Sequence, residues 1–134
     1  MPIKDLARTA DRSRGVRFWA RREQDLQGKF CNCPSINNIE LKKIVSLFRK
    51  YYLPTGYFSG KFPENKEKFK KVQDDLYEIK PSGQLRLLGF FAGADFIIVL
   101  CIRKKKEQLD QQDIDKAQSN IAECKKEIEH GKSA

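Results

Sequence analysis

Apolar residues recur at helical spacing in two stretches of this chain and form three short runs between them. The first helical stripe is Leu41, Ile44, Val45, Phe48, Tyr51 and Tyr52, one face at three- and four-residue intervals. Asn37 with Glu40 three residues on supplies a capping box at its start. Leu53-Pro54-Thr55-Gly56 ends it. The second stripe, Ile114, Ala117, Ile121, Cys124 and Ile128, predicts a final helix from near Asp110 to a stop at Gly131. Between them, Leu76–Lys80 is closed by Pro81-Ser82-Gly83, and Leu85–Phe91 by Ala92-Gly93-Ala94-Asp95; Phe96–Ile102 follows. Three apolar runs joined by short Gly-containing turns predict an antiparallel meander. The last run is apolar on both faces, which predicts a central strand covered by helices.

Outside this frame, Val16–Ala20 reads as a fourth strand from its β-branched and aromatic content. Arg8–Gly15 before it is polar and reads as loop or a short helical turn, and Gly28–Ser35 as a loop. A Gly/Pro loop runs to Pro63, and the polar Glu64–Asp74 stretch reads as a short helix with Phe69 and Val72 facing inward. The expected fold class is α+β: a small antiparallel sheet packed against helices.

At 134 residues the chain fits one domain, 1–134, and 40% hydrophobic content suffices for a packed core. Charged residues reach 34%, above the usual quarter. The net charge of +9 is uneven: residues 1–106 hold 23 Lys and Arg against 11 Asp and Glu, residues 107–134 only 4 against 7. A basic body with a mildly acidic tail favours a polyanionic partner. A membrane surface fits less well, because the cations do not lie on a strongly amphipathic helix, and Phe96–Ile102 is too short to span a bilayer. Residues 1–15 lack the apolar segment of a signal peptide, so a cytoplasmic protein is expected. Cys101 and Cys124 fall on apolar positions and read as core. Cys31-Asn32-Cys33 with the lone His130 makes no zinc pattern, and neither metal nor cofactor is expected.

One histidine leaves no Ser-His-Asp arrangement, and no phosphate-binding glycine motif is present. Acids such as Asp110, Asp113 and Asp115 fall on the last helix rather than clustering near a strand end as metal ligands would. What remains is cationic. Meander geometry brings Lys80, Arg86 and Lys104 to Lys106, with Arg103, to one rim of the sheet. Converging cations suit phosphodiester chemistry, whose transition state gathers charge on the phosphorane oxygens. They equally suit a solvated edge that grips phosphates without cutting. The first helix adds Lys42, Lys43, Arg49 and Lys50 on its polar face.

The succession Leu76-Tyr77-Glu78-Ile79-Lys80, Gly83-Gln84-Leu85-Arg86-Leu87-Leu88-Gly89-Phe90-Phe91, then an apolar strand ending in Arg103-Lys104-Lys105-Lys106 resembles the phage-derived, HigB-like branch of the RelE/ParE toxin superfamily. The likeness spans residues 38–128 loosely and 76–106 well; residues 1–35 fit the family poorly, with the Cys31 loop as an insertion. It implies a RelE-like sheet packed on helices. It further implies the toxin of a type II toxin–antitoxin pair, a ribosome-dependent, metal-independent mRNA endonuclease. The 2′-hydroxyl then attacks the adjacent phosphate while basic side chains position the RNA. By position, Arg86 takes phosphate and transition-state stabilisation, and Lys80 acts as general base or phosphate contact. Lys104 and Lys105 take leaving-group and phosphate contacts. Arg103, Lys106, Lys42, Lys43, Arg49 and Lys50 are the candidate RNA-binding set. The implied partners are mRNA on the ribosome and a cognate antitoxin, a helix-turn-helix protein. The Gln108–Gln112 stretch lacks the Tyr or His that RelE-type enzymes often place there. Two other readings stay open: a non-catalytic RNA- or ribosome-binding module, and a ParE-like gyrase inhibitor.

Overall fold

The structure, a computed structural model, describes residues 3–21, 37–53, 69–81, 84–104 and 109–133. The Cys31 and Cys33 loop, the Pro54–Pro63 loop, Lys105 and Lys106 lie outside them. Strands β1 (Ile3–Arg8) and β2 (Gly15–Trp19) precede helix α1 (Asn38–Tyr51). Strands β3 (Phe69–Gln73), β4 (Leu76–Ile79), β5 (Leu85–Ala92) and β6 (Asp95–Arg103) precede helix α2 (Gln111–Ser133). All six strands form one sheet in the order β1-β2-β6-β5-β4-β3.

The apolar β6 is central, as its two-faced sequence requires, and a helix covers each side of it. On one face, Ile44 and Phe48 of α1 and its C-cap residue Tyr52 pack on Val16, Phe18, Leu85, Leu87, Phe96, Ile98 and Cys101. The Phe48 and Phe96 rings lie 5.9 Å apart, and the Tyr52 hydroxyl donates to the Ala94 carbonyl at 3.0 Å. On the other face, Ala117, Ile121 and Cys124 of α2 pack on Trp19, Leu88, Phe90, Ile97, Val99 and Leu100. Each large apolar side chain so buried contributes about 1.5–3 kcal/mol. The buried Asn120 is satisfied: its amide donates to the Val99 carbonyl at 2.9 Å, and its oxygen accepts from Arg21 Nε at 2.9 Å. Cys101 and Cys124 are both buried, and burial pushes the Cys124 thiol up to about 12.

Several expectations change. The sheet is mixed rather than purely antiparallel, because β2 joins β6 in parallel. Residues 3–8 are a strand, anchored where Arg8 reaches Asp5 at 3.1 Å and Asp95 at 3.0 Å across Gly15. Phe69–Gln73, expected within a helix, pairs with β4 as an edge strand. The helix α2 continues through Gly131 to Ser133. The capping box of α1 is present as expected: Glu40 N–H donates to Asn37 Oδ1 at 2.8 Å.

One irregularity in the central β5–β6 pair decides which face the last side chains of β6 take. Leu88 pairs with Leu100, but Gly89 pairs with Ile98, so β6 carries one extra residue, Val99. Val99 and Leu100 consequently both face α2, and every later side chain of β6 changes face. Gly89 permits the close approach, since a Cβ there would lie 2.3 Å from the Ile97 carbonyl oxygen.

Candidate functional site

Strand register gathers the expected cations at one end of the sheet. Leu85 pairs with Arg103 and Arg86 with Ile102. Ile79 pairs with Leu87, so one step further Lys80 comes level with Arg86. Lys104 N–H donates to the Gln84 carbonyl at 2.7 Å, extending the β5–β6 ladder beyond the strand end. At the backbone level, Lys80, Arg86, Arg103 and Lys104 form the rim that the meander implied.

Their side chains divide between the two faces, and those of Arg86, Arg103 and Lys104 meet acids. Arg86 alternates with Leu85 and Leu87, which pack on the α1 side, and so enters the α2 side, where it is only 5% exposed. Its Nε lies 3.6 Å from Glu78 Oε2, and its NH1 donates to the Leu85 carbonyl at 3.1 Å. Glu78 is fully buried, and its Oε1 lies 3.6 Å from Lys70 Nζ on β3. Neither Glu78 oxygen receives a hydrogen bond; at 3.6 Å these contacts are ionic. A buried carboxylate is costly unless cations compensate it, and here two do. Lys80 is buried too, at 8% exposure.

Arg103, shifted to the α1 side by the bulge, grips the first turn of α1. Its NH1 donates to Glu40 Oε2 at 2.9 Å and its NH2 to Oε1 at 2.6 Å. This fork, followed by the Asn37 backbone, holds the Glu40 carboxyl below the usual carboxylate range. The Arg103 guanidinium is thus already engaged as a clamp between sheet and helix.

Lys104 turns to the start of α2, where its ammonium contacts Asp110 and also lies 2.6 Å from Asp113. Asp110 first, then Asp113, raise its pKa above the ordinary lysine value. A lysine so held keeps its proton at neutral pH, so its chemical capacity is to donate a proton or neutralise an anion, not to act as a base.

The α1 cations form a separate surface. Lys42, Lys43, Arg49 and Lys50 are all exposed, and among the described residues Lys42, Lys43 and Arg49 make no ion pair. The described residues contain no group of three His, Cys, Asp or Glu able to hold a metal ion. No described helix is long and apolar enough to cross a membrane. The acids that set the rim's electrostatics, Glu78, Glu40, Asp110 and Asp113, escape sequence reasoning. The one available signal was Glu78, a carboxylate between core positions Leu76 and Ile79 in a strand two residues before a lysine.

Residues 58–122 match the family model described as phage derived protein Gp49-like (DUF891), a family in the RelE/HigB-like toxin group. The matched stretch takes in β3 to β6 and the first half of α2, with Glu78, Lys80, Arg86, Arg103, Lys104, Asp110 and Asp113; α1 lies outside it. No curated protein matches the chain.

Proposed function

We propose that this chain, on the strength of its Gp49-like segment, is a toxin that cuts ribosome-bound mRNA without a metal and is held in check by a cognate antitoxin of the helix-turn-helix kind. The Gp49-like family is compatible with a toxin. The observation that carries the nuclease reading is that Lys80, Arg86 and Lys104 share one sheet end, with the Lys104 ammonium seated between Asp110 and Asp113.

In this mechanism the 2′-hydroxyl attacks the neighbouring phosphorus and the 5′-oxygen leaves. Lys80, in its neutral form, takes the hydroxyl proton. Arg86, oriented by Glu78, balances charge on the phosphorane oxygens. Lys104 delivers a proton to the departing 5′-oxygen, and Asp110 and Asp113 hold its ammonium in position for the transfer. Lys105 and Lys106 add backbone phosphate contacts, and Arg103 braces the rim through Glu40. Cleavage of message on programmed ribosomes, with Mg²⁺ kept at the level the ribosome needs, tests this. Cut ends should carry the 2′,3′-cyclic phosphate that 2′-hydroxyl attack leaves, and cutting should fall about 100-fold in Lys104→Ala. Messages left intact by the wild type would overturn it.

A second reading, a non-catalytic RNA- or ribosome-binding module, is favoured by the low exposure of Arg86 and by the exposed α1 cations. It expects binding that weakens steeply with salt and leaves the RNA whole.

A further inference from the structure

Ile39 is 69% exposed, and it is the one exposed large hydrophobic among the described residues. It stands off the stripe that α1 buries, which is built on Ile44 and Phe48. Ile39, Lys42, Lys43, Ser46, Leu47 and Lys50 follow one another at helical spacing and make a second stripe about 17 Å long. With Pro81 they line a groove of about 480 Å³ between α1 and the end of β4. Among the described residues, three lysines and no acid border it, and Ile39, Leu47 and Pro81 supply its apolar surface.

We propose that this groove docks an acidic amphipathic helix of a partner polypeptide, with aliphatic anchors over Ile39 and Leu47 and carboxylates against Lys42 and Lys43. The alternating chemistry argues for this occupant. Helix-in-groove recognition needs an apolar strip for anchors at i, i+3 and i+4, and flanking charge of opposite sign sets orientation. A single-stranded nucleic acid needs rings or guanidinium planes on which to stack its bases. Among the described residues the groove's lining offers neither, and a purely electrostatic phosphate grip has no use for an exposed isoleucine. The groove adjoins the rim at Arg103, which grips Glu40, but Arg86 faces the α2 side of the sheet and α1 lies outside the Gp49-like segment. The proposal is independent of the nuclease reading.

A synthetic helix of about 16 residues, leucines on one face and glutamates on the other, is the probe. Its binding to the full chain is followed by fluorescence anisotropy for the wild type, Ile39→Glu, Ile39→Ser and the Lys42→Glu, Lys43→Glu pair. Circular dichroism checks that each variant folds. The wild type should bind, and Ile39→Glu and the lysine pair should each weaken binding about tenfold or more, with Ile39→Ser intermediate. A single-stranded RNA oligomer should not displace the peptide. A peptide that fails to bind, or binds Ile39→Glu and Ile39→Ser as well as wild type, overturns the proposal. Displacement by the RNA oligomer, with RNA affinity lost in the lysine pair, assigns the face to phosphate instead.

Discussion

The two cationic regions of this protein contain the same residue types in opposite circumstances. At the rim, Arg86, Arg103 and Lys104 are paired with Glu78, Glu40 and the Asp110–Asp113 couple. On the outer face of α1, Lys42, Lys43 and Arg49 carry their charge into solvent without ion pairs among the described residues. The difference teaches that net charge locates a polyanion's attraction but not the place where chemistry is set up. Paired cations are held in defined positions and protonation states, as a reaction requires. Unpaired surface cations raise encounter rates and cover a surface that a partner can read.

If the rim charges are built into the fold, removing a partner there should cost far more than removing a cation from α1. Glu78→Ala should have the largest effect, about 3–5 kcal/mol in urea denaturation, because it removes the carboxylate that faces the buried Arg86 guanidinium and Lys70. Adding Arg86→Met to that variant should recover much of the loss; equal stability of single and double variants would break the comparison.

The next effect is on titration. Lys104 should titrate above the ordinary lysine value, and Asp110→Asn with Asp113→Asn should bring its midpoint back toward about 10.4. Since the folded-state value is raised, the pair stabilises the fold below the ordinary lysine range and ceases to do so as pH rises through the raised value. NMR of the lysine side chain reads this directly.

Arg103→Ala should cost less, under about 1 kcal/mol at neutral pH, because the pair is partly open to solvent. Glu40 is held low in the folded state, so this cost should appear above about pH 4.3 and vanish as pH falls through the depressed value. Lys42→Glu with Lys43→Glu should change stability by no more than about 0.5 kcal/mol. A large loss there would mean the α1 face is structural.

Much of the fold was legible because its signals are local. The capping box of Asn37 and Glu40, the Ile114–Ile128 stripe and the Gly-punctuated apolar runs each report a period or a turn within a few residues. The strands missed, β1 and β3, are both sheet edges, rich in charge and interrupted by register shifts at Asp5/Ala7 and Lys71/Gln73. Such shifts blur the two-residue alternation from which a strand is read, and charge on edges suppresses unwanted pairing. The site was legible only as a backbone arrangement. That Lys80, Arg86, Arg103 and Lys104 share a sheet end follows from meander geometry. That Arg103 parts from Arg86 depends on the extra residue Val99, which no composition or spacing announces. The acids are contributed by β4 beside Arg86, by α1 63 residues from Arg103, and by the start of α2, so their pairing is tertiary.

The most direct test of the central claim is 5′-end mapping of cellular mRNA after induced expression, comparing wild type with Lys104→Ala. Lys104 is paired with Asp110 and Asp113, so circular dichroism of the purified variant is recorded alongside to separate loss of cutting from loss of fold. The account predicts codon-phased new ends with the wild type that disappear in the variant. Intact messages with the wild type, or cuts that persist undiminished in Lys104→Ala, would contradict it.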